Sequence, residues 1–172
     1  MNEIVFNKNY SEELVINKKS NKVRAFIIDK NKNITLTKCG DIFILPGGKI
    51  EVGESEIDAL KRELGEELGC VIVGYPEIFL KTKHYLKNYP ELYSNKFSNK
   101  LTETTYYYIT EDSLMKTKDL SLDDNEIRGN FSTFKISIDD VLNILNNSDN
   151  PREKYFNIEL STAINNYKKT IV

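Results

Sequence analysis

Three glutamates in the first half of this sequence have the side-chain chemistry and the spacing of a reactive site. Glu63, Glu66 and Glu67 are three and four positions apart, so in a helix they share one face. Like charges on one face repel each other, and something must compensate them. Carboxylate oxygens are the ligands that suit Mg²⁺ or Mn²⁺ rather than zinc. The cluster therefore indicates a site for hard divalent cations, which would be held against a phosphorylated substrate.

The surrounding residues predict a loop followed by a helix. Ser55 can cap the first turn, and Gly69, directly after the last apolar residue, is a natural C-terminal stop. Upstream, residues 46–48 and Gly53 mark a tight loop that folds back over the start of the helix. The helix carries a stripe of apolar residues at helical spacing, which are Ile57, Leu60, Leu64 and Leu68.

The acidic face also has a simpler interpretation. It could be a solvated surface whose charges are balanced by Lys61 and Arg62, which is the usual meaning of a charge run. Two features favour a metal site instead. The acids converge rather than alternate with lysines, and the glycine loop before them can bring backbone carbonyls close.

Residues 48–70 resemble the Nudix box, Gly-x5-Glu-x7-Arg-Glu-U-x-Glu-Glu-x-Gly-U, where U is an aliphatic residue. Every specified position but the last is filled, and Cys70 is a small apolar substitute there. Average residue usage gives a chance match on the order of one in a billion per starting residue. The matching residues are Gly48, Glu54, Arg62, Glu63, Leu64, Glu66, Glu67 and Gly69.

The resemblance implies a Mg²⁺- or Mn²⁺-dependent enzyme. Such an enzyme hydrolyses the pyrophosphate of a nucleoside diphosphate linked to another group, as in a nucleotide sugar, a dinucleotide or a nucleoside triphosphate, and releases a nucleoside monophosphate. Bound cations neutralise phosphate oxygens and lower the pKa of a bound water. Arg62 would orient a glutamate carboxylate, with Glu54 as a candidate, through a bidentate pair. The implied metal ligands are Glu63, Glu66, Glu67 and the carbonyl of Gly48.

The general base and the substrate contacts are less defined. The base would be a box glutamate or an acid outside the box, and the sequence does not decide which. Among outside acids we prefer Glu126 to Glu103, because its position before an apolar strand and a predicted helix resembles the family's usual arrangement. Arg24 is one of four arginines available for forked phosphate recognition. Tyr85 can stack on a base, and it lies roughly where diadenosine polyphosphate hydrolases carry a tyrosine.

The segment 81–100 mixes lysines with aromatic residues and allows two interpretations. One is a loop that stacks a base and steers phosphates. The other, which we favour, is an exposed hairpin loop with solvated lysines and aromatic residues packed beneath it. We expect His84, the single histidine, to be a surface or packing residue.

The composition indicates a small enzyme of one domain over residues 1–172. A net charge of −2 and a pI near 5.6 give no general attraction to nucleic acid or anionic membranes. The sequence shows no apolar run of membrane-spanning length and no signal-peptide pattern, and two cysteines are too few for a disulfide scaffold. We therefore expect a cytoplasmic protein with a small nucleotide as partner, without membrane or nucleic acid, and a homodimer stays open.

The pattern of elements favours an α+β fold. Residues 22–29 read as a buried strand, 34–38 as its hairpin partner, and 42–45 as a strand leading into the box. The Nudix resemblance implies an α/β/α sandwich with a mixed central sheet, and residues 1–20 could add a terminal strand pair. The remaining predicted elements are a strand region over 70–80 broken near 74–76, strands over 101–109 and 131–138, a helix from Asp139 or Asp140 through Leu145, and a helix from Pro151 to about Tyr167.

Three functions are compatible with the sequence. We favour a metal-dependent pyrophosphohydrolase. A nucleotide-binding regulatory module of the same fold, without turnover, would be expected to lose the acids that this sequence keeps. An RNA 5′-end pyrophosphohydrolase would need a basic groove, and scattered lysines at near-neutral net charge offer little support for one.

Overall fold

The computed structural model describes residues 2–91, 94–117, 119–122, 127, 130–145 and 148–170. Within these residues the strands are β1 (Asn2–Phe6), β2 (Lys18–Ile28), β3 (Asn33–Cys39), β4 (Ile42–Ile44), β5 (Cys70–Ile72), β6 (Glu77–Pro90), β7 (Phe97–Thr110), β8 (Leu114–Lys116) and β9 (Ser132–Ser137). The α-helices are α1 (Tyr10–Glu13), α2 (Glu56–Leu68) and α3 (Pro151–Thr170), with 3₁₀ turns at Glu111–Ser113 and Val141–Ile144.

The strands form a mixed sheet, as expected. Its spatial order over the described residues is β1-β6-β7-β2-β3-β4, and β9 also pairs with β3, along Asn33 to Lys38. The β1–β6 and β2–β7 pairs are parallel, whereas the remaining pairs of this sheet are antiparallel. The short strands β5 and β8 form a separate antiparallel pair. The predicted α+β fold with a mixed central sheet is confirmed.

The central strand β2 is buried on both of its faces. Val23, Ala25 and Ile27 lie in a core cluster under α2, whereas Phe26 and Ile28 lie in a second cluster under α3. Successive side chains of a strand point to opposite faces, so a strand covered on both sides reads as a nearly continuous apolar run. One sheet thus carries a helix on each face, which is the sandwich that the sequence led us to expect.

Helix α2 begins and ends where its sequence signals predict. The Ser55 side chain accepts a hydrogen bond from the Asp58 amide at 3.1 Å. At the other end Gly69 adopts a left-handed φ of 63° and donates to the carbonyl of Leu64. Leu60 and Leu64 are fully buried against the sheet. The apolar stripe therefore fixes the rotation of the helix and leaves the glutamate face beside the loop that precedes it.

Helix α3 covers the opposite face of the sheet. It begins at Pro151, as predicted, and buries Leu160, Ala163 and Ile164 in the core cluster that also contains Phe26. Pro suits the first helical turn because its missing N–H has no intrahelical partner there. Among the described residues, no helix has both the length and the apolar character needed to cross a membrane.

The prediction of an exposed loop over 81–100 was wrong. Strand β6 continues to Pro90 and β7 starts at Phe97, so most of the segment is a long hairpin ladder. The lysines and tyrosines alternate with buried residues such as Thr82 and His84. A strand with one half-buried face has this mixed composition, which is why it resembled a solvated loop.

Two smaller predictions also need correction. The predicted helix near Asp140 is only a 3₁₀ turn, Val141–Ile144. It ends because Leu145 takes an extended conformation, and the next regular helix starts at Pro151. Within residues 1–20, β1 does not pair with a neighbouring N-terminal strand. It joins the far edge of the sheet beside β6 instead, where Ile4 packs against the α3-side core.

His84 is a packing residue of the sheet interior. Its ring lies 4.9 Å from that of Phe6 and 5.1 Å from that of Tyr155, between centroids, and the residue is 4% exposed. Burial lowers the pKa of its imidazole from 6.5 to about 4. The histidine is therefore neutral in the folded protein at pH values where the unfolded chain binds a proton.

This difference predicts a pH-dependent loss of stability. Between pH 6.5 and about 4 the unfolded state holds more protons, so the free energy of unfolding falls as the pH drops. Between pH 7 and pH 4.5 the wild-type protein should lose about 2 kcal/mol more than the His84→Gln variant. Urea unfolding at a series of pH values measures both curves. Parallel curves would contradict a buried neutral histidine.

Candidate active site

The loop that precedes α2 is laid along the central strand. The amide of Ala25 donates to the carbonyl of Pro46 at 2.8 Å, and the amide of Val23 donates to the carbonyl of Gly48 at 3.0 Å. Strand β3 leaves this part of β2 free, so the loop uses backbone groups that would otherwise lack partners. The loop thereby has a fixed position on the sheet before the helix begins.

Gly47 is held from both faces of the sheet. Its amide donates to Oε2 of Glu67 on α2 at 2.7 Å, and its carbonyl accepts a hydrogen bond from Nη1 of Arg24. Its φ is 123°, and a Cβ at this position would overlap the carbonyl oxygen of Val23. Only glycine combines this backbone conformation with this contact.

Gly48 leaves room for a box carboxylate. A Cβ on Gly48 would overlap both oxygens of Glu63, so the carboxylate lies in the space that a side chain would fill. The carbonyl of Gly48 accepts the Val23 amide and keeps a second lone pair, because a carbonyl oxygen can accept two bonds. A carboxylate and a backbone carbonyl are therefore adjacent at the start of the box.

Arg62 joins three of the box acids. It forms the predicted bidentate pair with Glu54, through Nε at 2.9 Å and Nη2 at 3.1 Å. Its Nη1 donates to Glu63 at 2.9 Å and to Glu66 at 3.1 Å, and Nη2 also donates to the carbonyl of Lys49 at 3.0 Å. The planar fork of arginine makes these contacts in several directions at once, which a lysine ammonium does poorly.

The three glutamates of α2 border one open cleft of about 850 Å³ together with Arg62 and both glycines. These three acids differ in exposure. Glu67 is buried, whereas the side chain of Glu66 is 37% exposed. The cleft is lined by Gly47, Gly48, Lys49, Ile50, Glu51, Val52, Arg62, Glu63, Glu66, Glu67, Ser121 and Leu122.

The electrostatics of the cleft separate the acids. Burial raises the pKa of Glu63, although the neighbouring Arg62 opposes this effect. The hydrogen bond from Arg62 lowers the pKa of Glu54. A partly desolvated carboxylate at Glu63 is stabilised by a nearby positive charge, and Arg62 supplies that charge here.

The donor set fits a hard cation in its chemistry. Over the described residues no three His, Cys, Asp or Glu side chains form a ready metal-binding group. The guanidinium of Arg62 lies between Glu63 and Glu66 instead, so these two carboxylates already share one positive charge. The available donors in the cleft are carboxylate and carbonyl oxygens, the ligands that suit Mg²⁺ or Mn²⁺.

The acids outside the box are placed differently. Glu126 lies outside the described residues, but Ser121 and Leu122 bring the chain before it into the cleft. The Ser121 amide donates to the backbone carbonyl of Glu66 at 2.9 Å. Glu103 lies on β7 and pairs with Lys83 at 3.5 Å, away from the residues that line this cleft.

The two predicted substrate contacts differ in exposure. Arg24 is 5% exposed and donates to the carbonyls of Leu45, at 3.3 Å, and Gly47. Tyr85 is partly buried on β6. It lies on the second strand from β2, level with Lys19 and so three residue positions from Lys22, where β2 contacts Lys49 of the loop. These offsets place it roughly 14 Å from Lys22 in the plane of the sheet. Their roles in substrate binding stay predictions.

Sequence reasoning missed one buried acid near the loop. Glu159 on α3 is 5% exposed, and its Oε2 lies 3.9 Å from Nε of Arg24. The sequence contains one weak indication that this acid is buried, because Glu159 falls within an apolar stripe that includes Phe156 and Leu160. A charged residue on a buried helix face requires a partner, but the sequence does not show which one.

The contact at Gly47 predicts a large local cost for any side chain. Gly47→Ala should lower the free energy of unfolding by more than about 2 kcal/mol, because it adds overlap with Val23 to the strain of a positive φ. Gly40→Ala is the matched control, since Gly40 also has a positive φ, 62°, but open space around it. It should cost about 1 kcal/mol. Equal losses in urea unfolding would show that the overlap is relieved.

Among known proteins, one family model matches most of this chain. The NUDIX domain family matches residues 18–156. A search of curated protein sequences found no match.

Three examples illustrate the solved structures with a similar fold. The mutator MutT protein of Bacillus halodurans is 21% identical with a TM-score of 0.52, and the match covers 73% of this chain and 72% of that one. The MutT NUDIX hydrolase of Burkholderia pseudomallei is 18% identical with a TM-score of 0.52, covering 72% and 87%. The MutT protein of Methanosarcina mazei is 18% identical with a TM-score of 0.51, covering 87% and 98%. These identities establish a shared fold, and the family match over most of the chain establishes more: the chain belongs to the NUDIX family and is a Nudix hydrolase.

Proposed function

We propose that this Nudix hydrolase uses Mg²⁺ or Mn²⁺ to cleave the pyrophosphate bond of a nucleoside diphosphate derivative and releases a nucleoside monophosphate. One observation supports this most strongly. Glu63, Glu66 and Glu67 border the same cleft beside the carbonyl of Gly48. Oxygen donors of this kind, gathered beside a space large enough for a substrate, suit metal-assisted phosphoryl chemistry.

The residues that would hold the cation are Glu63, Glu66, Glu67 and the carbonyl of Gly48. When bound, the cation supplies neutralisation of the phosphate oxygens and a more acidic bound water. Arg62 now provides the positive charge between Glu63 and Glu66. Its bidentate pair with Glu54 holds the guanidinium at the edge of the cleft, so it can keep orienting the box carboxylates.

A general base is still required to take the proton of the attacking water. We keep two candidates, a box glutamate and Glu126. The raised pKa of Glu63 and its burial are compatible with proton transfer. Support for Glu126 is indirect and comes from Leu122, which lines the cleft four positions earlier in the chain. The pairing of Glu103 with Lys83 makes it the weaker outside candidate.

A second groove offers space for the remainder of the substrate. It measures about 390 Å³ and extends from Ile50 and Glu54 of the box loop to Lys81 and Lys83 on β6. Tyr85 follows these lysines with the same alternation and so points to the same face. The groove is also lined by Glu3, Glu56 and Glu103, which pair with these lysines. We propose that the uncharged base of a small nucleotide of the cytoplasm, rather than a nucleic acid, lies along this groove.

Replacing the predicted ligands should reduce turnover strongly without unfolding the protein. Glu66→Gln and Glu67→Gln should each lower kcat by about two orders of magnitude or more, because an amide is a poor ligand for a hard cation. The assay is a phosphatase-coupled phosphate release screen with nucleotide sugars, dinucleotides, ADP-ribose and modified nucleoside triphosphates, with Mg²⁺ and with Mn²⁺. Glu77→Gln, an exposed acid on β6, is the control that should retain wild-type rates. Near-wild-type rates in the two box variants would remove those residues from the site.

The packing of Glu63 against Gly48 gives an independent test. Gly48→Ala should displace the Glu63 carboxylate and weaken Mn²⁺ binding by about tenfold. Gly48 lies outside the positive φ range and Glu63 is a flexible side chain, so the fold should tolerate the change. Electron paramagnetic resonance measures free Mn²⁺ directly, and circular dichroism checks the fold. Unaltered Mn²⁺ affinity would show that the two residues do not share a site.

A further inference from the structure

A buried ion pair connects α3 to the loop of the candidate active site. Arg24 and Glu159 have side chains only 6% and 7% exposed, and Nε lies 3.9 Å from Oε2. Within the described part of the chain neither of these two atoms has a hydrogen-bond partner. The pair is therefore held by charge attraction in a protein interior, where such attraction is stronger than in water.

Other groups fix the carboxylate of Glu159 in place. Its Oε1 accepts hydrogen bonds from Tyr155 at 2.5 Å and from Thr104 at 3.0 Å. Burial opposes its ionisation, but the charges of Lys22 and Arg24 and these hydrogen bonds outweigh burial and lower its pKa. Glu159 is therefore a fixed negative charge on the α3 face of the sheet.

Arg24 passes this constraint to the loop. Its Nη1 donates to the carbonyls of Leu45 and Gly47, and its guanidinium lies 5.9 Å from the ring centroid of Phe156. On the other side, the amide of Gly47 donates to Glu67. The contacts form a continuous path from Glu159, through Arg24 and Gly47, to a predicted metal ligand.

We propose that Glu159 is a positioning residue for the metal site: by holding Arg24 it fixes Gly47, and with it Glu67 and Gly48, in the orientation that binds the cation. The proposal rests on the proposed function for the site itself. It assigns to α3, on the opposite face of the sheet from the box helix, a part in catalysis that goes beyond covering the core.

The test compares Glu159→Gln and Arg24→Lys with a matched control. Glu56→Gln is that control, because Glu56 also accepts bonds from a threonine and a tyrosine, Thr105 at 3.0 Å and Tyr107 at 2.9 Å, but lies on the other face, where these partners belong to β7. Two quantities are measured on the full chain. They are Mn²⁺ affinity by electron paramagnetic resonance and the hydrogen-exchange rate of the Gly47 amide in metal-free protein.

We expect both Glu159→Gln and Arg24→Lys to weaken Mn²⁺ binding by about tenfold and to speed exchange at Gly47, since partners that orient ligands typically have effects of this size. Glu56→Gln should change neither quantity, even if it lowers the melting temperature. Tyr155→Phe, which keeps the carboxylate and removes one hydrogen bond, serves if Glu159→Gln does not fold, and should produce the same changes at smaller size.

Wild-type Mn²⁺ affinity and wild-type Gly47 exchange in the folded variants would overturn the proposal and reduce the ion pair to a stabilising contact. A different failure would identify itself. If the wild-type protein bound no Mn²⁺ at all, the proposed function would fall and this inference with it, whatever the exchange data showed.

Discussion

The site depends on one constraint, which is the fixed position of loop residues 46–48 on the central strand β2. Backbone bonds from Val23 and Ala25 hold the loop in register. Gly47 then fits only because it has no side chain, since a Cβ would overlap the neighbouring strand. A displacement of this backbone by about one ångström would change the distance between the carbonyl of Gly48 and the carboxylate of Glu67. Catalytic sites tolerate errors of that size poorly.

The charge balance of the cleft follows from this placement. The loop brings carboxylates together that would repel one another in an isolated helix. Arg62 compensates them by bonding Glu54, Glu63 and Glu66 at once. The site is thus a compact set of opposite charges. A cation could bind the same carboxylates that Arg62 contacts. The planar fork of arginine explains how a single side chain makes all three contacts.

The sandwich architecture connects elements that are distant in sequence. Strand β2 contacts the loop in two ways, through the backbone amide of Val23 and through the side chain of Arg24 on the α3 face. Helix α3 is linked to the loop through that strand, by way of Glu159. Rigid packing of Leu160 and Ile164 holds the helix against the sheet. A buried charge can keep a fixed position in such a setting because the elements that carry it have little freedom to move.

Features that depend on neighbouring residues along the chain could be predicted from the sequence. The helix from Ser55 to Gly69, the buried strand around Ala25 and the pair between Arg62 and Glu54 follow from capping, periodicity and a spaced motif, and all are present. The tertiary structure alone decided which residues meet across the sheet. It turned the segment around His84 into a strand and paired Glu159 with Arg24, which lies 135 positions earlier. Such contacts depend on strand order and on which face each side chain takes, and local patterns do not carry that information.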